Sequence, residues 1–188
     1  MSYTLITHFT SEDYQRIHKI IKKVNDRMCR VPYGRVDDDQ RYKLDTLPYH
    51  LTVSSSKRHL LDVLDEMRGF SFHTFRLQIN GISEMNGKNG SKILYLSLSP
   101  SDDWDKLQAC VHGFLHNDKY IAGKQTPHIT ICISKHKEKI RRIRECIETD
   151  FEPIDVHVTS LGLYSIWPGK MMSEYQLNKR LIDKIRAI

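Results

Sequence analysis

The spacing of apolar and polar positions predicts a mixed α+β chain in which strands and helices alternate. Tyr3 to Phe9 reads as a strand, and Thr10 followed three residues later by Asp13 has the form of a capping box opening a helix. Ile17, Ile20, Ile21, Val24 and Met28 recur at helical spacing, so that helix ends near Met28. A strand over Tyr49 to Ser55 leads into a helix marked by Leu60, Leu61, Leu64 and Met67, which Gly69 stops. Phe72 to Ile82 and Ile93 to Ser99 predict two strands of a hairpin, separated by the turn-rich Asn86-Gly87-Lys88-Asn89-Gly90. Ser101 then caps a helix carrying Trp104, Leu107, Val111, Phe114 and Leu115. His128 to Ser134 is a strand, and Lys135 to about Thr149 is a helix with Ile140, Ile143 and Ile147 at core spacing. Two last strands flank Pro168-Gly169. Arg30 to Pro48 follows neither period and reads as a long loop, of a length that is often functional. No low-complexity linker interrupts this order, so residues 1–188 are expected to form one domain.

Comparing the chain with itself is more informative. His50-Leu51-Thr52-Val53-Ser54-Ser55-Ser56-Lys57 aligns with His128-Ile129-Thr130-Ile131-Cys132-Ile133-Ser134-Lys135, identical at four of eight positions. A proline precedes each copy, Pro48 and Pro127, and each passes from a strand into a helix after its lysine. His-x-Thr alone is weak evidence, because His8-Phe9-Thr10 and His157-Val158-Thr159 match it too. Only the copies at 50 and 128 combine apolar neighbours on both sides of the threonine with the upstream proline. On a strand, side chains alternate between faces, so each histidine emerges beside its threonine while Ile129, Ile131 and Ile133 are expected to supply the core face.

Two such strands facing each other would bring two imidazoles and two hydroxyls to one cleft. That set suits in-line displacement at phosphorus: one imidazole takes a proton from the attacking oxygen, and the other gives one to the leaving oxygen. With an unperturbed pKa of about 6.5, histidine holds both protonation states near neutrality. Threonine hydroxyls can donate to the non-bridging oxygens. For either copy alone, the competing reading is a strand histidine satisfied by a backbone carbonyl and a threonine chosen for strand propensity.

Composition adjusts this picture modestly. With 29 Lys+Arg against 23 Asp+Glu, the net charge of +6 favours an anionic partner. Lys135, Lys137, Lys139, Arg141, Arg142 and Arg144 make the last long helix basic, which suits RNA guidance or simply a solvated face. The four cysteines are scattered without a Cys-x-x-Cys pair, so reduced thiols are expected. Three consecutive carboxylates, Asp37-Asp38-Asp39, do not make a coordination shell, and no metal or other cofactor is expected. The chain opens without a basic start and apolar run, and no stretch approaches the roughly 18 apolar residues of a membrane span; a cytoplasmic protein with no membrane partner is expected.

At the two His-x-Thr copies the chain resembles the two-histidine (2H) phosphoesterase superfamily, which includes the 2′-5′ RNA ligases and RNA 2′,3′-cyclic phosphodiesterases. The order of elements agrees with it over nearly the whole chain. The resemblance implies a bilobal α+β fold of two antiparallel sheets, helices outside, a pseudo-twofold and a groove between the lobes. It implies His50 and His128 as the acid/base pair, with Thr52 and Thr130 holding phosphate. The implied reaction is metal-independent hydrolysis of a 2′,3′-cyclic phosphate or 2′,5′-phosphodiester in RNA or a small nucleotide, by a monomer. Tyr175 and Trp167 in the final hairpin, and His8 on the first strand, are candidates to touch substrate; core packing competes for the aromatics. The alternative readings are an RNA-binding module that keeps the groove without chemistry, and a metallohydrolase.

Overall fold

In the computed structural model, which describes residues 3–28, 48–56, 60–115, 126–166 and 169–178, the chain runs twice through the same series of elements. The first run is β1 (Tyr3–Phe9), α1 (Ser11–Met28), β2 (Thr52–Ser56), α2 (Leu60–Glu66) and β3 (Phe75–Asn86). The second is β4 (Lys92–Leu98), α3 (Asp102–Phe114), β5 (His128–Ser134), α4 (Lys137–Glu148) and β6 (Ile154–Ile166). A last strand, β7 (Gly169–Gln176), follows. The two expected hairpins are present, Ser101 accepts the Trp104 N–H to cap α3, and Gly69 stops the α2 segment in the left-handed region at φ +80°. Of the loop expected over Arg30 to Pro48, residues 30–47 lie outside the described residues.

All strands are antiparallel, in the order β2-β1-β6-β3-β4-β5, with β7 added on β6. Exchanging β1 with β4, β2 with β5 and β3 with β6 reproduces that order read backwards, so the two runs are related by a pseudo-twofold axis between β3 and β6. Two separate sheets were expected; instead Phe75 to Ile79 pair with Val158 to Ile154 and make one continuous ladder. The pairing satisfies two inner strand edges that separate lobes would leave open. Ile17 and Ile21 of α1, Val63 of α2, Trp104 and Leu107 of α3, and Ile140 and Ile143 of α4 share one core cluster with Leu77, Leu96, Val156 and Leu161 of the strands. The helices thus cover the apolar face, and the polar alternate positions line the opposite face.

Bulges refine this alternation. Leu5 pairs with Ser54 and Ile6 with Thr52, so Val53 is an extra residue in β2; Leu94 pairs with Cys132 and Tyr95 with Thr130, so Ile131 is extra in β5. The bulges fall at the same place in both copies of the repeat. Their effect is a change of phase: Leu51, Val53 and Ser54 are buried, as are Ile129, Ile131 and Cys132. Ile133, expected on the core face, is only half-buried, because the bulge turns Cys132 inward in its place. A second matched pair occurs at the centre, where Asn80 is extra in β3 and Thr159 in β6.

The capping box at the start of α1 does more than end a helix. Thr10 Oγ1 accepts the Asp13 N–H at 3.1 Å and donates to Asp13 Oδ2 at 2.7 Å. The same buried carboxylate accepts the backbone N–H of His157 at 2.8 Å, tying the helix to β6. Asp13→Ala keeps the residue-13 N–H on Thr10 Oγ1 but removes the carboxylate, leaving the Thr10 hydroxyl and the His157 N–H without their acceptor. We expect it to lower unfolding free energy by about 2–3 kcal/mol in urea denaturation, and a change under about 0.5 kcal/mol would contradict this account.

Candidate active site

Both repeated histidines stand at the inner ends of their strands. β1 runs from Tyr3 towards the axis and β2 returns from it, so His50 precedes β2 on the axial side; β4 and β5 place His128 equivalently. Leu51 is fastened by its carbonyl to the Thr7 N–H at 3.0 Å and by its N–H to Thr7 Oγ1 at 3.1 Å, which fixes the backbone next to His50. Thr52 lies opposite Ile6, and Thr130 opposite Tyr95, so each threonine opens on the same face as the residue two places along its partner strand, His8 or Ser97.

The two rings are anchored in the same way. His50 Nδ1 lies 2.7 Å from the Pro48 carbonyl oxygen, and His128 Nδ1 lies 3.0 Å from that of Thr126, two residues upstream in each case. A carbonyl only accepts, so Nδ1 carries the proton in both. When neutral, each ring therefore keeps its lone pair on Nε2; when protonated, each presents Nε2–H. The Tyr95 ring meets His128 edge-on at 5.2 Å and limits its rotation.

Burial, as the largest cause, pushes the His50 imidazole below its ordinary range, and the Pro48 carbonyl opposes that. The charges of His128 and His8 lower it further. An open groove lies on the polar face beside it, lined by Pro48, whose carbonyl holds His50, and by residues of β1, β6 and β7.

His8 sits in that groove. Its Nδ1 lies 3.0 Å from both Ser160 Oγ and Glu174 Oε1, its Nε2 lies 3.1 Å from the Tyr164 hydroxyl, and Ser160 Oγ donates to Glu174 Oε1 at 2.6 Å. Ser160 first, and then His8, hold the Glu174 carboxyl below the usual carboxylate range. Gly162 makes room for this cluster: a Cβ there would stand 2.5 Å from the Tyr164 ring and 2.6 Å from His8 Nε2.

Other sequence candidates fall elsewhere. Tyr175 follows Glu174 on β7 and so points to the opposite face, where its ring meets Phe70 edge-on at 6.2 Å. Trp167 and Lys57 lie outside the described residues, and Lys135 is exposed. His157 faces Asp13 at 3.6 Å and accepts from Arg76. On α4, Arg141 and Arg142 pair with Glu138, and Arg144 with Glu148, which leaves that face less basic than its arginines suggest. His112 and His116 stand at a His-x-x-x-His spacing, but His112 is buried and bonded to the Val53 backbone, and His116 lies outside the described residues. Among the described residues no cluster of three His, Cys, Asp or Glu side chains could hold a metal ion, Cys110 is a free thiol, and no helix is long and apolar enough to cross a membrane.

Tyr95, Ser160, Gly162 and Glu174 were not legible as site residues. The alternation Ile93-Leu94-Tyr95-Leu96-Ser97-Leu98-Ser99 could have placed Tyr95 on the polar face, but nothing local marks Glu174, whose position depends on the register of β7.

The family model described as "2'-5' RNA ligase superfamily" matches residues 4–167. By structure the chain is similar to TT0787 of Thermus thermophilus, at 15% identity and a TM-score of 0.58, over 96% of this chain and 100% of that one. It is also similar to E. coli LigT complexed with 3′-AMP, at 14% identity and a TM-score of 0.57, over 94% and 98% of the two chains. No curated protein matches by sequence.

Gly162→Ala would force the His8 and Tyr164 rings off the β6 backbone. The expected cost is about 1–3 kcal/mol by urea denaturation, partly restored when His8→Ala is added. An unchanged midpoint for Gly162→Ala would show that the close approach is not needed.

Proposed function

Since the chain belongs to the 2′-5′ RNA ligase superfamily, whose members are phosphoesterases, we propose that it hydrolyses 2′,3′-cyclic phosphate or 2′,5′-phosphodiester bonds in RNA or small nucleotides, with His50 and His128 as its acid/base pair. The observation that carries this reading is the matched anchoring of the two rings. Each Nδ1 proton is committed to a carbonyl two residues upstream, which leaves Nε2 as the working nitrogen on both. A neutral ring then accepts the proton of the attacking oxygen at Nε2, while a protonated one donates from Nε2 to the leaving oxygen. After turnover the two have exchanged states, and proton transfer with solvent restores them.

Thr52 and Thr130 lie beside the histidines and would donate their hydroxyl protons to the non-bridging phosphate oxygens, where negative charge concentrates as the bonds rearrange. The ligand class agrees with the chain's net charge of +6 and with the 3′-AMP bound to the structurally similar LigT. Burial of His50 favours its uncharged form in the free protein. No step of this chemistry calls on a metal ion.

A panel of 2′,3′-cyclic nucleotides and 2′,5′- and 3′,5′-linked oligonucleotides, assayed in excess EDTA, tests the proposal. We expect turnover on at least one substrate, a loss of about 10² fold or more in kcat for His50→Ala or His128→Ala, and about 10–100-fold for Thr52→Ala or Thr130→Ala. The profile of kcat/KM against pH should be bell-shaped. Because the His50 shift is downward, the imidazole stays neutral to lower pH than usual, and the lower apparent pKa of the pair should fall below about 6.5. Full turnover retained by both histidine variants on a cleaved substrate would refute the assignment.

A further inference from the structure

The two halves of the polar face are built differently. On the β3–β4 side, next to His128, Ser97 Oγ donates to Asn80 Oδ1 at 3.2 Å, Asn80 Nδ2 to Ser99 Oγ at 3.0 Å, Ser99 Oγ to Gln78 Oε1 at 3.5 Å, and Gln78 Nε2 to the Asp155 carboxylate at 3.4 Å. The pseudo-twofold relates Ser97 to His8, Gly81 to Ser160 and Met85 to Tyr164. Glu174, however, comes from β7, the strand for which the other half has no counterpart among the described residues. Glu174 therefore stands on the His50 side, bonded to His8, whereas the carboxylate on the other side, Asp155, is bonded to Gln78.

An open depression of about 390 Å³ lies there, a volume in the range of small-molecule sites. It begins at Pro48, whose carbonyl holds His50, and passes Tyr14, Tyr164 and Met171 to Glu174 and Gln176. Among the described residues that line it there is no lysine or arginine. The tyrosine and methionine side chains offer apolar surface to a flat ring and a sugar. The polar end, with a carboxylate that can only accept, suits hydroxyl or amino donors and opposes a phosphate.

We propose that this depression receives the uncharged nucleoside end of the substrate, and that Glu174 selects against a second phosphate at that end. The inference rests on His50 and His128 being the phosphate-facing pair. It adds a direction to the groove, supplied by the one strand that breaks the pseudo-symmetry.

The test is calorimetric binding of adenosine 3′-monophosphate and adenosine 3′,5′-bisphosphate to the whole protein and to Glu174→Gln, in low salt at about pH 8, where imidazoles are neutral. The wild type should prefer the monophosphate. Glu174→Gln keeps the shape and removes the charge, and should narrow the preference by about 3–30-fold, chiefly by improving bisphosphate binding. The wild-type preference should itself shrink as salt rises from about 50 to 500 mM, which decides the matter if the variant does not fold. An equal preference in both proteins, equal weakening of both ligands, or a wild-type preference insensitive to salt would overturn the inference. Turnover of cyclic nucleotides alongside such a result would leave the proposed function standing, whereas failure of both nucleotides to bind the wild type would end both.

Discussion

The pairing of β3 with β6 is the contact that organises everything else in the molecule. Five residues of each strand, Phe75–Ile79 and Ile154–Val158, join two similar runs of the chain into one ladder and define the axis between them. Because β1 and β4 run towards that axis and β2 and β5 start from it, the axial ends of β2 and β5 are where paired chemistry can assemble. The two His-x-Thr copies occupy those ends.

Symmetry at the centre is detailed. Both histidines use the same nitrogen on the same type of acceptor, and both copies place a bulge on the residue after the threonine. A bulge lets one residue leave the ladder without losing the strand. Here it allows the polar side of the motif to face the groove while Val53, Ser54, Ile131 and Cys132 are buried. His112, reaching from α3 to the Val53 backbone, ties the first of these bulges to the helical layer.

Departures from symmetry lie at the edges. β7 pairs with β6 alone and brings Glu174 to His8, and Gly162 leaves space for the His8 and Tyr164 rings above the strand. One half thus holds the Glu174 carboxylate in a cluster with His8 and Ser160, and the other a chain of amides and hydroxyls that ends on Asp155. A duplicated frame with unequal walls can hold an unsymmetrical ligand in one orientation.

The order of amino acids was enough to specify most of the elements and to single out two matched motifs. Periodicity placed most helices and strands within a few residues of their observed ends, because each element's burial depends on its own 3.6- or 2-residue repeat. The matched motifs pointed to His50, Thr52, His128 and Thr130, because neighbours on one strand share a face by local geometry. It took the folded chain to establish that β3 and β6 form one sheet, that Cys132 rather than Ile133 turns inward, that Tyr175 faces away from the groove, and that Glu174 meets His8. Each of these is a matter of register between segments far apart in the chain, and a shift of one residue reverses the face of every side chain on a strand.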